Sequence, residues 1–98
     1  MLRVGIIGAR GYTGAELVRL LCKHPDTELT YLTSESQQGV PISAIYPGLR
    51  GHVDLACRAF DVAEACEAAD VLFFALPAGE AMKSAAALLA AGKRVIDL

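Results

Sequence analysis

Three glycines at intervals of three, Gly8, Gly11 and Gly14, separate an apolar run from an amphipathic one in VGIIGARGYTGAELVRLL, residues 4–21. Each glycine carries a large entropy cost on folding, so a triplet this dense needs a backbone reason. Behind a buried strand and ahead of a helix, such a triplet has one consistent division of labour. Gly8 makes the tight turn out of the strand, Gly11 leaves room for a pyrophosphate against the main chain, and Gly14 lets the helix pack closely on the sheet. The helix start then offers free N–H groups and a partial positive charge to phosphate oxygens. The spacing is GxxGxxG rather than GxGxxG, and a bare glycine triplet is a weak signal. The competing reading is a structural turn in an unrelated α/β chain. The strand before the triplet and the helix after it favour the nucleotide reading.

The rest of the chain alternates in the same manner. Residues 2–7 read as a buried strand. Residues 12–23 read as a helix with Leu17, Val18 and Leu21 inward and Glu16, Arg19 and Lys23 outward, ended by HPD at 24–26. ELTYLTS, 28–34, is a β-rich second strand. Residues 35–52 are polar and broken by Gly39, Pro41, Pro47, Gly48 and Gly51, a loop with one short helical turn at 42–46. VDLACRAF, 53–60, alternates and reads as a weaker strand, with Val53, Leu55, Cys57 and Ala59 on one face. Asp61 is placed to cap a short helix over 62–68. DVLFFALP, 70–77, is continuous enough for a strand covered on both faces. A helix over 79–92 follows, with Met82, Ala85, Ala86 and Leu89 as its inner stripe and Gly92 in its last turn, and then a strand over 93–98. This order predicts an α/β fold: a doubly wound parallel sheet, Rossmann-like, with strand order 3-2-1-4-5. The chain ends on an apolar strand at Leu98, which predicts that residues 1–98 are the front of a longer, two-domain protein.

Composition narrows the function. With 98 residues, 54% of them hydrophobic, the chain has enough material for one globular domain. A net charge of −2 and no basic block argue against nucleic acid, and no apolar run is long enough for a membrane span. Cys22, Cys57 and Cys66 have no CxxC spacing, which argues against a disulfide scaffold or a metal site. That pattern, without a visible signal peptide, fits the cytoplasm.

Two strand ends bear on the cofactor. At the end of the second strand, where NAD-binding chains usually place a carboxylate for the ribose 2′-hydroxyl, stand Thr33 and Ser34, then Glu35 and Ser36. Hydroxyls there, with Arg10 in the glycine loop, favour a 2′-phosphate and hence NADP, whereas Glu35 would oppose it if turned inward. An ordinary polar strand end is the competing reading for each hydroxyl. ALPAGEAM, 75–82, follows a buried strand and is expected beside the glycine loop, where Pro77 and Gly79 shape the path. No cysteine is expected at an activating position, and neither His24 nor His52 has a partner at catalytic spacing.

GARGYTGAEL, followed by HP and LTS, then YPGLRG, DVLFFALPAGEAM and VIDL, resembles the N-terminal domain of the N-acetyl-γ-glutamyl-phosphate reductases over essentially all 98 residues. The resemblance implies NADP-dependent reduction of a small-molecule acyl phosphate to a semialdehyde, in arginine biosynthesis. It implies a thioester on a cysteine, assisted by a histidine, both in a second α+β domain beyond Leu98, so no catalytic residue is expected within the chain. By position it assigns Gly8, Arg10, Gly11, Tyr12, Thr13 and Gly14 to the pyrophosphate, Ser34 and Ser36 to the adenosine end, and Ala75, Leu76 and Pro77 to the nicotinamide side. It also implies a homo-oligomer. The sequence departs from the pattern at Glu35, where many members are basic, and at Ala78, where many carry histidine. Reductases of related acyl phosphates, of the lysine-pathway or aspartate-semialdehyde type, and a non-enzymatic nucleotide-binding module are the alternatives.

Overall fold

The computed structural model describes residues 1–9, 11–76 and 82–97, with side chains of the last stretch from Ser84 onward. Strand β1 (Leu2–Ile7) leads through the glycine loop into helix α1 (Tyr12–Leu21), which returns to strand β2 (Thr27–Thr33). A one-turn helix α2 (Ile42–Ile45) and a 3-10 turn at Pro47–Leu49 interrupt the long connection to helix α3 (Val62–Ala68). Strand β3 (Val71–Phe74), helix α4 (Met82–Ala90) and strand β4 (Arg94–Asp97) complete the order.

The four strands lie in the order β2-β1-β3-β4, and every neighbouring pair is parallel. β1 is central, and the chain leaves it toward β2 on one side and resumes at β3 on the other. Side chains alternate across this sheet. Ile6 and Leu32 pack on one face with Val18 of α1, Ile42 of α2, and Leu49, Val53 and Cys57 of the long connection. Ile7, Tyr31, Leu72 and Phe74 pack on the other with Ala65 of α3 and Leu88 of α4. Both faces of the sheet are therefore covered, as the apolar run over β3 predicts.

Two local expectations are corrected. Residues 53–60 do not form a strand. Arg58 alone makes a parallel bridge to Thr33, with its N–H on the Leu32 carbonyl at 2.9 Å and its carbonyl accepting from Ser34 N–H at 3.1 Å. The third strand of the expected order is thus reduced to one bridge, on the outer side of β2. The residues before Arg58 turn their main chain toward the 39–42 segment instead: Cys57 N–H donates to Val40 O at 2.8 Å, and Ile42 N–H donates to Leu55 O at 2.9 Å. Pro41, bridged to Ala56, has no N–H with which to extend that pairing. The second correction is the inner face of α4. Leu88 is fully buried, whereas Leu89 is 58% exposed and Ala86 is exposed. An alanine-rich helix carries too little contrast between faces to fix its own rotation. Here its end is set by a Schellman turn: Gly92, at φ +84°, donates to Leu89 O at 3.0 Å, and Lys93 donates to Leu88 O at 3.0 Å.

At the opposite, amino edge of the sheet, Arg3 of β1 holds Asp70 before β3 through Nη2 at 3.0 Å and through its own main-chain N–H at 3.2 Å. The guanidinium also donates to Glu67 O at 2.9 Å.

Candidate functional site

The loop after β1 lies at the carboxyl edge of the sheet, where the strand order reverses between β1 and β3, the usual ligand crevice of such sheets. Gly8 adopts φ +91°, a conformation that side chains resist. A Cβ there would lie 2.9 Å from Ala75 O, so the loop also rests tightly against the chain leaving β3. Gly14 is buried, and a Cβ on it would lie 2.9 Å from Ala9 Cα and closer still to Gly8 O. The first turn of α1 therefore sits directly on the loop. Gly11 differs, because among the described residues a Cβ there would meet only Gly8 O, at an ordinary 3.6 Å. Among the described residues nothing else lies within 4 Å of that position.

Gly11 is the N-cap of α1, and Ala15 N–H makes the first intrahelical bond, to Gly11 O at 2.8 Å. The N–H groups of Tyr12, Thr13 and Gly14 precede that bond, as the first donors of a helix do. Tyr12 and Thr13 are exposed, Tyr12 at 85%. Glu16, one turn on, is paired with Arg19 at 2.9 Å, which holds its carboxyl below the usual range and offsets its charge near the helix start. A mainly apolar cleft of about 360 Å³ flanks the same end of α1, between Tyr12, Ala15 and Arg19 on one side and Tyr46 to Leu49 on the other.

The end of β2 forms one wall of the crevice. Thr33 is 2% exposed, and its Oγ1 accepts from Gly8 N–H at 3.0 Å, so this hydroxyl faces the glycine loop and not the solvent. Ser34 is 5% exposed, with its main chain bonded to Arg58, whereas Ser36 is exposed. The Glu35 carboxylate accepts from Phe60 N–H at 3.3 Å, which holds it toward the 58–60 segment. Ala75, whose N–H donates to Ile7 O at 2.9 Å, and Leu76 form the other wall. Gly8, Gly11, Tyr12, Thr13, Gly14, Ala75 and Leu76 thus meet at one edge, and Ser34 and Ser36 stand at the end of the adjoining strand. Arg10, Pro77, Ala78 and Gly79 lie outside the described residues.

Sequence reasoning missed Thr33 as a structural partner of Gly8, since nothing local signals a bond between residues so far apart in the chain. The cysteines are placed for packing. Cys57 is fully buried, and burial pushes its thiol pKa up. Cys22 closes α1, with Sγ donating to Arg19 O at 3.2 Å, and Cys66 packs from α3 against the second core. Among the described residues, no group of three or more His, Cys, Asp or Glu is placed to hold a metal ion, and no helix is long and apolar enough to cross a membrane.

A family model described as the semialdehyde dehydrogenase NAD binding domain matches residues 3–98. The chain belongs to this family. A semialdehyde dehydrogenase NAD-binding domain is a nicotinamide-cofactor domain, which agrees with the open helix start and the glycine contacts just described. Similar proteins include the N-acetyl-gamma-glutamyl-phosphate reductases of Bordetella avium (strain 197N), 56% identical over 97 residues, and Herminiimonas arsenicoxydans, 54% identical over 98. These matches take in 99% and 100% of this chain but 27% and 28% of those proteins, so the domain spans little more than a quarter of its relatives' length. Among solved structures, aspartate semialdehyde dehydrogenase with NADP from Candida albicans superposes with a TM-score of 0.75 at 23% identity, over 99% of this chain and 29% of that one. Scyllo-inositol dehydrogenase from Lactobacillus casei, with NAD(H), gives 0.70 at 22%, over 99% and 27%. At these identities the two structures speak for the fold alone.

Proposed function

We propose that the chain is the cofactor-binding part of an NADPH-dependent reductase that converts N-acetyl-γ-glutamyl phosphate to N-acetylglutamate semialdehyde. The observation that carries this reading is 50–56% identity to reductases of that name along essentially the whole chain. The crevice supports it. Gly11 leaves open the space a pyrophosphate needs, the first-turn N–H groups of Tyr12, Thr13 and Gly14 can bind its oxygens, and Gly8 and Gly14 hold the loop against the helix. Arg10 would add charge to that site. Ser36 and Ser34 would face the adenosine ribose and its 2′-phosphate, and Ala75, Leu76 and Pro77 the nicotinamide side. NADPH, when bound, supplies the hydride.

The preference for NADP rests on the hydroxyls at the end of β2 and on Glu35, whose bond to Phe60 N–H draws its carboxylate toward that segment. The thiol that accepts the acyl group and its histidine are assigned outside residues 1–98, in a second domain. Within the chain, Cys57 is buried, Cys22 ends α1 and Cys66 lies within α3. Such a protein would work as a soluble homo-oligomer in the cytoplasm.

The test is phosphate-dependent reduction of NADP by N-acetylglutamate semialdehyde, catalysed by the full-length protein. Turnover with this semialdehyde in preference to aspartate semialdehyde supports the proposal, and turnover with aspartate semialdehyde alone refutes the substrate assignment. The isolated 98-residue chain should show no turnover. Measurable turnover, abolished by changing one of its cysteines to serine, would refute the assignment of the chemistry to a second domain.

A further inference from the structure

We propose that Thr33 is a positioning residue for the nucleotide: its buried hydroxyl sets the shape of the glycine loop on which the pyrophosphate rests. The inference depends on the cofactor reading above and adds to it a residue that does not itself touch the cofactor.

Thr33 is the last residue of β2 and is 2% exposed. Valine would fill the same volume and suits a strand equally well, so packing does not explain the hydroxyl. Its bond does. Gly8 N–H donates to Thr33 Oγ1 at 3.0 Å, and the next N–H, that of Ala9, donates to Thr33 O at 2.8 Å. One residue therefore holds two consecutive donors of the loop. The linkage continues, because Gly8 O accepts from Gly11 N–H at 3.2 Å and Gly11 caps α1. On the far side Ala75 O would lie 2.9 Å from a Cβ on Gly8, which prevents the loop from sliding toward β3. Gly8 is thus held by a hydrogen bond on one side and by close packing on the other. Its carbonyl in turn places the helix start.

Without the hydroxyl, Gly8 N–H loses its protein acceptor at a half-buried position, and the loop is no longer tied to the end of β2 through that side chain. The binding-competent loop then becomes a minor state, and apparent affinity falls by the fraction lost.

The experiment compares Thr33→Val with Thr33→Ser in the full-length protein. Binding of NADPH, NADH and adenosine 2′-monophosphate, which lacks the pyrophosphate, is measured by calorimetry. Thr33→Val should weaken both dinucleotides about tenfold, the scale of one lost hydrogen bond, and leave the monophosphate unchanged. Thr33→Ser should restore dinucleotide binding. Unchanged dinucleotide affinity in Thr33→Val, an equal loss for the monophosphate, or no rescue by serine would each overturn the inference. Hydrogen exchange in the wild-type protein tests it without a variant. The Gly8 amide should exchange as slowly as that of Ala9, and fast exchange at Gly8 overturns the clamp even where Thr33→Val does not fold. Wild-type protein that binds neither dinucleotide refutes the cofactor reading itself, and this inference with it.

Discussion

Gly14 and Gly11 are both glycines of one loop, yet the structure predicts that they fail in different ways. Consider Gly14→Ala. The new methyl carbon would sit 2.9 Å from Ala9 Cα and 3.0 Å from the Gly8 carbonyl carbon, with the carbonyl oxygen closer still. Carbon atoms in good contact stand roughly 3.5–4.0 Å apart, so the first turn of α1 must retreat by about half an ångström or more. The obstructing atoms are all main chain, and no side chain can rotate aside. Overpacking of this kind costs about 1–3 kcal/mol, and alanine's better helix propensity returns about 1 kcal/mol. A net destabilisation of about 1 kcal/mol, the middle of that cost less the propensity gain, is expected, together with weaker nucleotide binding as the helix start shifts.

Gly11→Val reverses the pattern. Gly11 has ordinary extended angles, φ −65° and ψ 161°, and its nearest neighbour would lie 3.6 Å from the new carbon. The cost to stability should be that of replacing a glycine N-cap by a poor one, about 0.5–1 kcal/mol, with no main-chain clash to add to it. NADPH and NADH should both bind more weakly, and to the same degree, because the branched side chain fills the space beside the pyrophosphate and not that beside the ribose. Denaturant melts and nucleotide titrations of the two variants decide the matter. A Gly14→Ala protein as stable as wild type would refute the close-approach argument, and full affinity in Gly11→Val would refute the pyrophosphate assignment.

NADPH should bind more tightly than NADH, and Ser36→Ala should narrow the gap; equal affinities in the wild-type protein would remove the role given to the end of β2. Asp61→Ala removes the side-chain bond to Ala63 N–H, 3.1 Å long, at the start of α3, and should cost about 1 kcal/mol in a urea melt, with no loss pointing to a cap replaced by water. Asp70 is held below its ordinary pKa of 3.8, chiefly by the side-chain hydrogen bond from Arg3, so its contribution to stability is present above that value and lost as pH falls through the depressed one. Wild type and Asp70→Asn should therefore differ in melting temperature at neutral pH, and the gap should shrink steadily as pH falls below about 3.8, whereas a gap that does not shrink there would mean that the ion pair is not its source.

What could be read from the residues alone was what local chemistry determines. Positive φ at Gly8, the cap at Asp61 and the Schellman turn at Gly92 each follow from a residue type beside a periodic segment. The apolar run over β3 marked a strand with both faces covered, because no helix stripe or polar face interrupts it. The errors fell where a distant partner decides. Residues 53–60 have an alternating pattern, but an alternating segment becomes a strand only if its N–H and C=O groups find a neighbour along its length. Those of Leu55 and Cys57 went to the 39–42 segment, and among the described bonds those of Arg58 alone reached the main chain at the end of β2. In α4 the error came from low contrast, since a helix made largely of alanine gives several rotations nearly equal burial until Leu88 is seated in the core.

Thr33 shows why the candidate site was less legible than the fold. As a hydroxyl at the end of β2 it has the chemistry of a ribose or phosphate contact, and a linear reading sends it outward to the cofactor. The parallel register sends it elsewhere. Ile7 pairs with Thr33, so the residue that ends β2 stands beside the first residue after β1, which is Gly8. A donor and an acceptor brought together at a half-buried edge will bond to each other, because an N–H turned from solvent without a partner is costly. The hydroxyl is thereby committed to the loop, and in the proposed function contact with the adenosine end would pass to residues further along the chain, of which Ser36 is exposed. On the proposed reading the division follows from geometry: the β2 residue level with the glycine turn shapes the loop, and residues past that level would meet the nucleotide. By the same register Phe74 pairs with Ile7, which sets Ala75 level with Gly8 on the other side. Gly8 is therefore held from both neighbouring strands, and on the proposed reading the side of Gly11, free of contacts among the described residues, is where a phosphate would approach.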